Sequence, residues 1–256
     1  MLETLLPADL SAGAALVLVS ASFVTSLITA AFGIGGGIAL LAVMANLVPP
    51  AALIPVHGVV QVGSNAGRAM LMLGATRWAV VLPFVLGGLV GALLGGSISL
   101  TLPPPVLSLL VGVFVLGMLY VKLPLPGGGL PLKVATPAAG GITSLLTMFV
   151  GATGPFVAAY LHRVALAREA HVATFSVMMT LQHLLKVTVF GLLGFAFAPW
   201  APLMAAMIAT GFLGTVIGRR ILLSLDETRF RTILKALLTL LALRLVIVGG
   251  LALAGY

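Results

Sequence analysis

Phe32-Gly33-Ile34-Gly35-Gly36-Gly37 interrupts a long apolar run close to the start of the chain. Inside hydrocarbon, a glycine cluster leaves backbone N–H and C=O groups without partners. Such a break survives only where protein buries it or a cavity hydrates it. A Gly-interrupted apolar segment with a counterpart in the other half of a chain is a pointer to a binding site. This one has a counterpart. Thr25-Ser26-Leu27-Ile28-Thr29 precedes Gly33 and Gly36, and Thr143-Ser144-Leu145-Leu146-Thr147 precedes Gly151 and Gly154 at the same spacing. The same offset carries Asn65 onto His183 and Arg68 onto Lys186. After a small shift, Gly88, Gly91 and Gly95 match Gly211, Gly214 and Gly218. The chain reads as an internal repeat.

Composition sets the class. The chain is 61% hydrophobic and 7% charged, with a mean hydropathy of +1.27, whereas soluble domains carry about 25% charged residues. It is expected to be a polytopic helical membrane protein in contact with the lipid bilayer. The formal charge of +8 then reports orientation and not nucleic acid. With no cysteine in the sequence, disulfides, thiolate catalysis and cysteine metal sites are excluded. Met1 to Asp9 contains no Lys or Arg, so it lacks the basic n-region of a cleaved signal peptide, and the first helix is expected to stay in the mature protein.

The spacing of Pro, Gly and charge predicts helices over 11–31, 51–73, 78–98 and 104–121. Residues 38–47 form an apolar stretch about half the ~20 residues needed to cross a bilayer. The reading is an all-α protein of two inverted-topology repeats, each a broken, re-entrant helix pair plus three transmembrane helices. Residues 1–122 form the first repeat, 123–132 a cytoplasmic linker and 133–256 the second repeat. If each break is a hairpin that turns and returns, one face holds Arg77, Lys122, Lys133, Arg163, Arg168, Arg219, Arg220, Arg229 and Arg231, and the other holds Glu3 and Asp9. Fully crossing breaks would scatter the basic residues over both faces. The positive-inside bias favours the hairpin, with basic loops in the cytoplasm and both termini periplasmic or external.

Hairpins give the breaks a chemistry. The return helices would start near Gly37 and Pro155, close to the midplane, and Pro suits a first helical position. Free N–H groups and a positive dipole end at each start favour an anion, and the two starts are expected to meet at the repeat interface. No P-loop is present, because no Lys-Ser/Thr follows the glycines. Polar side chains inside spans are costly and mark function by default. His57, Gln61, Ser64, Asn65 and Arg68 occupy the helix after the first break; His171, Thr174, Gln182, His183 and Lys186 occupy its counterpart. No carboxylate is available inside the helices to neutralise these cations. An anionic ligand between them is the expected partner. Arg68 and Lys186 also have a bland reading, as snorkelling side chains. Arg244 is too central for that, and would bind backbone carbonyls or a neighbouring subunit.

These residues carry a resemblance. The Gly-Ile-Gly-Gly-Gly break, Pro55-Val56-His57-Gly58 through Gln61, Gly63-Ser64-Asn65 and Gly67-Arg68, and Gly151 to Pro155 followed by Ala173-Thr174 and Gln182-His183-Leu184 with Lys186, resemble the sulfite exporter TauE/SafE family over nearly the whole chain. Two departures stand out: Leu40-Leu41-Ala42-Val43 lies where many members have a proline, and Ala152-Thr153 replaces a glycine-rich second break. The resemblance implies export of sulfite, or of an organosulfonate such as sulfoacetate, across the bacterial inner membrane.

The resulting expectation is a secondary transporter working by alternating access. The candidate substrate-binding residues are Gly35, Gly36, Gly37, Gln61, Asn65, Arg68, Thr153, Gly154, Gln182, His183 and Lys186, with His57 and His183 as candidates for proton coupling. No cofactor, metal or nucleic acid is expected, and a homodimer is compatible with the sequence. A passive anion channel is the alternative. A membrane-embedded enzyme is disfavoured, since the sequence offers no carboxylate pair and no H-E-x-x-H.

Overall fold

In the computed structural model, residues 7, 10–32, 35–99, 102–121, 130–221 and 227–255 are described. Gly33, Ile34, Glu3, Asp9, Lys122 and Asp226 lie outside them, as do the side chains of Arg168, Arg219, Arg220, Glu227, Arg229 and Arg231. The described residues form helices and no strand. They are α1 (Ala12–Phe32), α2 (Gly36–Ala45), α3 (Pro50–Leu71), α4 (Trp78–Ser99), α5 (Pro104–Tyr120), α6 (Leu132–Val150), α7 (Gly154–Arg163), α8 (Arg168–Leu192), α9 (Ala201–Ile221) and α10 (Glu227–Leu253). Five segments are long and apolar enough to cross a bilayer: Ala12–Ala30, Trp78–Ser99, Glu169–Leu192, Ala198–Gly218 and Leu234–Leu253. Helices α2 and α7 have 10 residues each, about 15 Å of rise and half a membrane's hydrocarbon thickness.

The chain forms two compact units, and each draws on both halves of the sequence. One comprises Met1–His57, Leu102–Leu123 and Phe197–Tyr256; the other comprises Gly58–Thr101 and Pro124–Ala196.

In the second unit, α4, α6 and α8 run in the same direction. Gly87, Gly91 and Gly95 of α4 lie against Pro137, Gly141 and Leu145 of α6 in ascending order. Arg77 N–H donates to Thr174 Oγ1 (3.0 Å) near the start of α8, while Gly96 meets Val189 and Leu193 near its end. Helix α7 runs back against them. Thr153 Oγ1, at its start, donates to the Thr143 carbonyl (3.2 Å). Near its end, Tyr160 hydrogen-bonds Thr136, and the His162 ring lies 4.8 Å from that of His171. The chain therefore turns back after Val150, as a hairpin requires. Arg77, Lys133 and Arg163 consequently share one end of this unit. Tyr160, Leu161, Phe84, Val81 and Met178, all buried, pack the core beside that end.

In the first unit, α1 and α9 run parallel, α5 runs antiparallel to α10, and α2 folds back so that Gly36 meets Thr25 and Thr29. The α1–α9 contact reproduces the α4–α6 contact position by position. A Cβ placed on Gly91 would lie 2.0 Å from the Gly141 carbonyl oxygen, and one on Gly214 would lie 2.1 Å from that of Phe23. Gly88 faces Ser144 as Gly211 faces Ser26, and Gly95 faces the Leu145 carbonyl as Gly218 faces that of Leu27. At two further positions the pairs differ in chemistry. Gly140 and Gly87 allow bare backbone approach in one unit; in the other, Ser22 Oγ donates to the Met207 carbonyl (2.6 Å) and Thr210 Oγ1 to that of Val19 (3.1 Å). Small residues and short polar ones are the means by which helices associate closely where no water drives them together.

Candidate anion site at the broken helices

Gly151, at φ 75°, closes α6 in the left-handed conformation that glycine adopts at least cost. Thr153 then opens α7, with Pro155 in its first turn. The α7 start lies beside Thr143 and Gln182, each just past the midpoint of its own helix. Around it is a connected polar network. Gln182 Nε2 donates to Thr143 Oγ1 (2.9 Å) and Ser144 Oγ (3.2 Å), and Gln182 Oε1 (3.1 Å) shares the single Thr153 Oγ1 proton with the Thr143 carbonyl. This ties α8 to both sides of the break and fills the bonding capacity of the Gln182 amide N–H groups.

Lys186 stands one turn further along α8 and is 0% exposed. Its Nζ donates to the Gly151 carbonyl (3.0 Å), the negative end of the α6 dipole. Gly58 of α3 makes room for it: a Cβ there would lie 2.8 Å from Lys186 Cε. Among the described residues no carboxylate pairs with Lys186. Glu169, on the same helix, is roughly 25 Å away at 1.5 Å per residue. No side chain caps the α7 N-terminus, so the N–H of Gly154 also faces the break without one. A buried ammonium and an uncapped helix start within a few residues are a combination that favours an anion.

The first break has a different lining. Gly35, at φ 104°, precedes α2, which likewise has no side-chain cap. His57, fully buried, hydrogen-bonds the Gly37 carbonyl through Nε2 (3.0 Å). In the second unit, α3 carries a separate set: Asn65 Nδ2 donates to the Gln61 carbonyl (2.8 Å) and Asn65 Oδ1 accepts from Arg68 Nη2 (2.9 Å), leaving Arg68 Nε buried without a partner among the described residues. His183, beside Gln182, is buried.

The structure thus gathers Thr153, Gly154, Gln182 and Lys186 at one break, and Gly35, Gly36, Gly37 and His57 at the other. It does not set Arg68 beside Lys186: Lys186 meets α3 at Gly58, about 15 Å along the helix axis from Arg68. Arg244 donates to Asn46 Oδ1 (2.5 Å) and to the Asn46 carbonyl (3.4 Å), capping the C-terminus of α2. Thr143 and Ser144 are not among the candidate residues of the sequence reading. Thr143 does bond the Ala139 carbonyl (2.7 Å), but both hydroxyls also hold Gln182. Their recurrence in the Thr-Ser-Leu-x-Thr motif was the available signal.

No curated protein and no solved structure matches the chain. The family model described as Sulfite exporter TauE/SafE matches residues 18–245, which include both breaks and all the polar side chains above. The chain belongs to the sulfite exporter TauE/SafE family.

Proposed function

We propose that the protein is a secondary transporter that exports a small sulfur-containing oxyanion, sulfite or an organosulfonate such as sulfoacetate, across the inner membrane by alternating access. Family membership already makes it a membrane transport protein of the sulfite-exporter class. The observation that carries the finer reading is Lys186, buried at an uncapped helix start with one carbonyl as its bonded partner among the described residues. A buried unpaired cation is strongly unfavourable, and an incoming oxyanion relieves that cost. Gln61, Asn65, Arg68 and His183 are further polar candidates in the same unit as Lys186; in the other unit the Gly35–Gly37 start offers backbone N–H groups, and His57 and His183 are the groups available for proton coupling. The basic loops face the cytoplasm.

Proteoliposomes containing the purified protein test this directly. Uptake of labelled sulfite or sulfoacetate is expected to saturate and to accelerate when the vesicles are preloaded with the unlabelled anion. Linear flux without counterflow would mark a channel instead, and absence of flux for every sulfur oxyanion would overturn the reading.

A further inference from the structure

Thr147 lies in the last turn of α6, 0% exposed, and its Oγ1 has no hydrogen-bond partner among the described residues. Buried hydroxyls are ordinarily satisfied, and a helical Thr usually bonds the carbonyl four residues back. Thr136, Thr143 and Thr180 all do so, to Leu132, Ala139 and Ser176. For Thr147 the corresponding acceptor is the Thr143 carbonyl, which takes the helical N–H and has Thr153 Oγ1 3.2 Å away across the break. The single proton of Thr153 is shared between that carbonyl and Gln182 Oε1. The fold that builds the break therefore crowds the usual acceptor of Thr147.

The unused hydroxyl sits where an anion is wanted. Gly151 N–H donates to the Thr147 carbonyl (3.0 Å), and the Gly151 carbonyl in turn holds the Lys186 ammonium. Thr147 and the Lys186 anchor are thus joined through one backbone hydrogen bond at the end of α6. Lys186 uses one of its three donors in that bond. Together with the uncapped start of α7, three kinds of donor surround one break.

We propose that Thr147 is a substrate-binding residue, its hydroxyl donating to one oxygen of the bound anion while Lys186 balances the charge. This rests on the transport reading above and sharpens it. Two separate side-chain donors select an anion with several oxygens on one centre, such as a sulfite or sulfonate group, over a halide.

The test compares wild type with Thr147→Val, which keeps the shape and removes the hydroxyl, and Thr147→Ser, which keeps the hydroxyl. Sulfite and sulfoacetate affinities are measured by calorimetry in detergent, with thermal unfolding of the ligand-free protein alongside. For Thr147→Val the expected result is a Kd weakened about tenfold or more, the loss of a hydrogen bond to a charged group. Its ligand-free melting temperature should equal or exceed that of wild type, since an unsatisfied hydroxyl has gone. Thr147→Ser should bind nearly as wild type does. An unchanged Kd in Thr147→Val overturns the assignment whatever the melting temperature, and so does equal weakening in both variants. If wild type itself binds neither anion, the transport reading falls and this inference with it; if wild type binds and Thr147→Val binds equally, this inference alone falls.

Discussion

Among the described residues Lys186 carries its charge against one carbonyl, and that makes the consequences of its removal unusual. Truncating one member of a buried ion pair destabilises a protein, but a buried cation without a carboxylate is replaced by an apolar side chain at little cost or a gain. Lys186→Met is therefore expected to fold with an unchanged or higher melting temperature, and to lose sulfite affinity by at least about tenfold. Calorimetry and thermal unfolding of the same sample check both halves. Gly58→Ala acts on the same ammonium from α3. The obstructing atom is the mobile Cε of Lys186, so the side chain is expected to swing off the Gly151 carbonyl and not unfold the helix pair. Affinity should fall while the melting temperature shifts by no more than a few degrees, about 1 kcal/mol. At this scale the sequence pointed to Lys186 and Gln182 together, because both are polar residues in an apolar helix. It could not tell them apart. Gln182 has its amide committed to Thr143, Ser144 and Thr153, contacts that only the hairpin turn brings together.

Between helices, the close approaches discriminate among glycines that look alike in sequence. Gly91→Val and Gly214→Val drive a side chain into the facing backbone carbonyl at about 2 Å. Each is expected to cost about 3 kcal/mol or more, the upper range for overpacking, and to show as loss of monodisperse protein on purification. Gly117 of α5 has nothing within 4 Å of a built Cβ, so Gly117→Ala should be neutral or stabilising by up to about 1 kcal/mol on helix propensity. Helix positions in the first half were legible to within about two residues, because Pro, Gly and charge punctuate apolar runs, and the matching glycine spacing of α4 and α9 could be read from the sequence. The clamp of Arg244 on Asn46 was not. Its partners are 198 positions apart, and nothing local in either residue announces the other.

For the molecule as a whole, orientation is open to a clean test, since the chain has no cysteine of its own. Arg77→Cys and Lys133→Cys lie at the basic end of one unit; Ala196→Cys follows α8 at the opposite end. An impermeant thiol reagent is expected to reach the first two only from the cytoplasm and the third only from outside. Labelling in the reverse sense would put the termini inside the cell and remove the positive-inside argument. The order of helices along the chain was legible, but the sequence did not reveal that each half contributes helices to both compact units, an exchange. Hydrophobic patterning says which segments are helices and leaves their partners unspecified. That exchange governs how the protein is made. Helix α1 leaves the ribosome long before its partner α9, and at 5–20 residues per second the interval between Phe32 and Ala201 lasts roughly 10–30 s. Throughout that time, a helix face of serine, threonine and exposed carbonyls waits in the lipid without its mate. Insertion of this chain is thus a holding problem, in which α1 and α2 must be sheltered by the insertion machinery until the last two helices arrive.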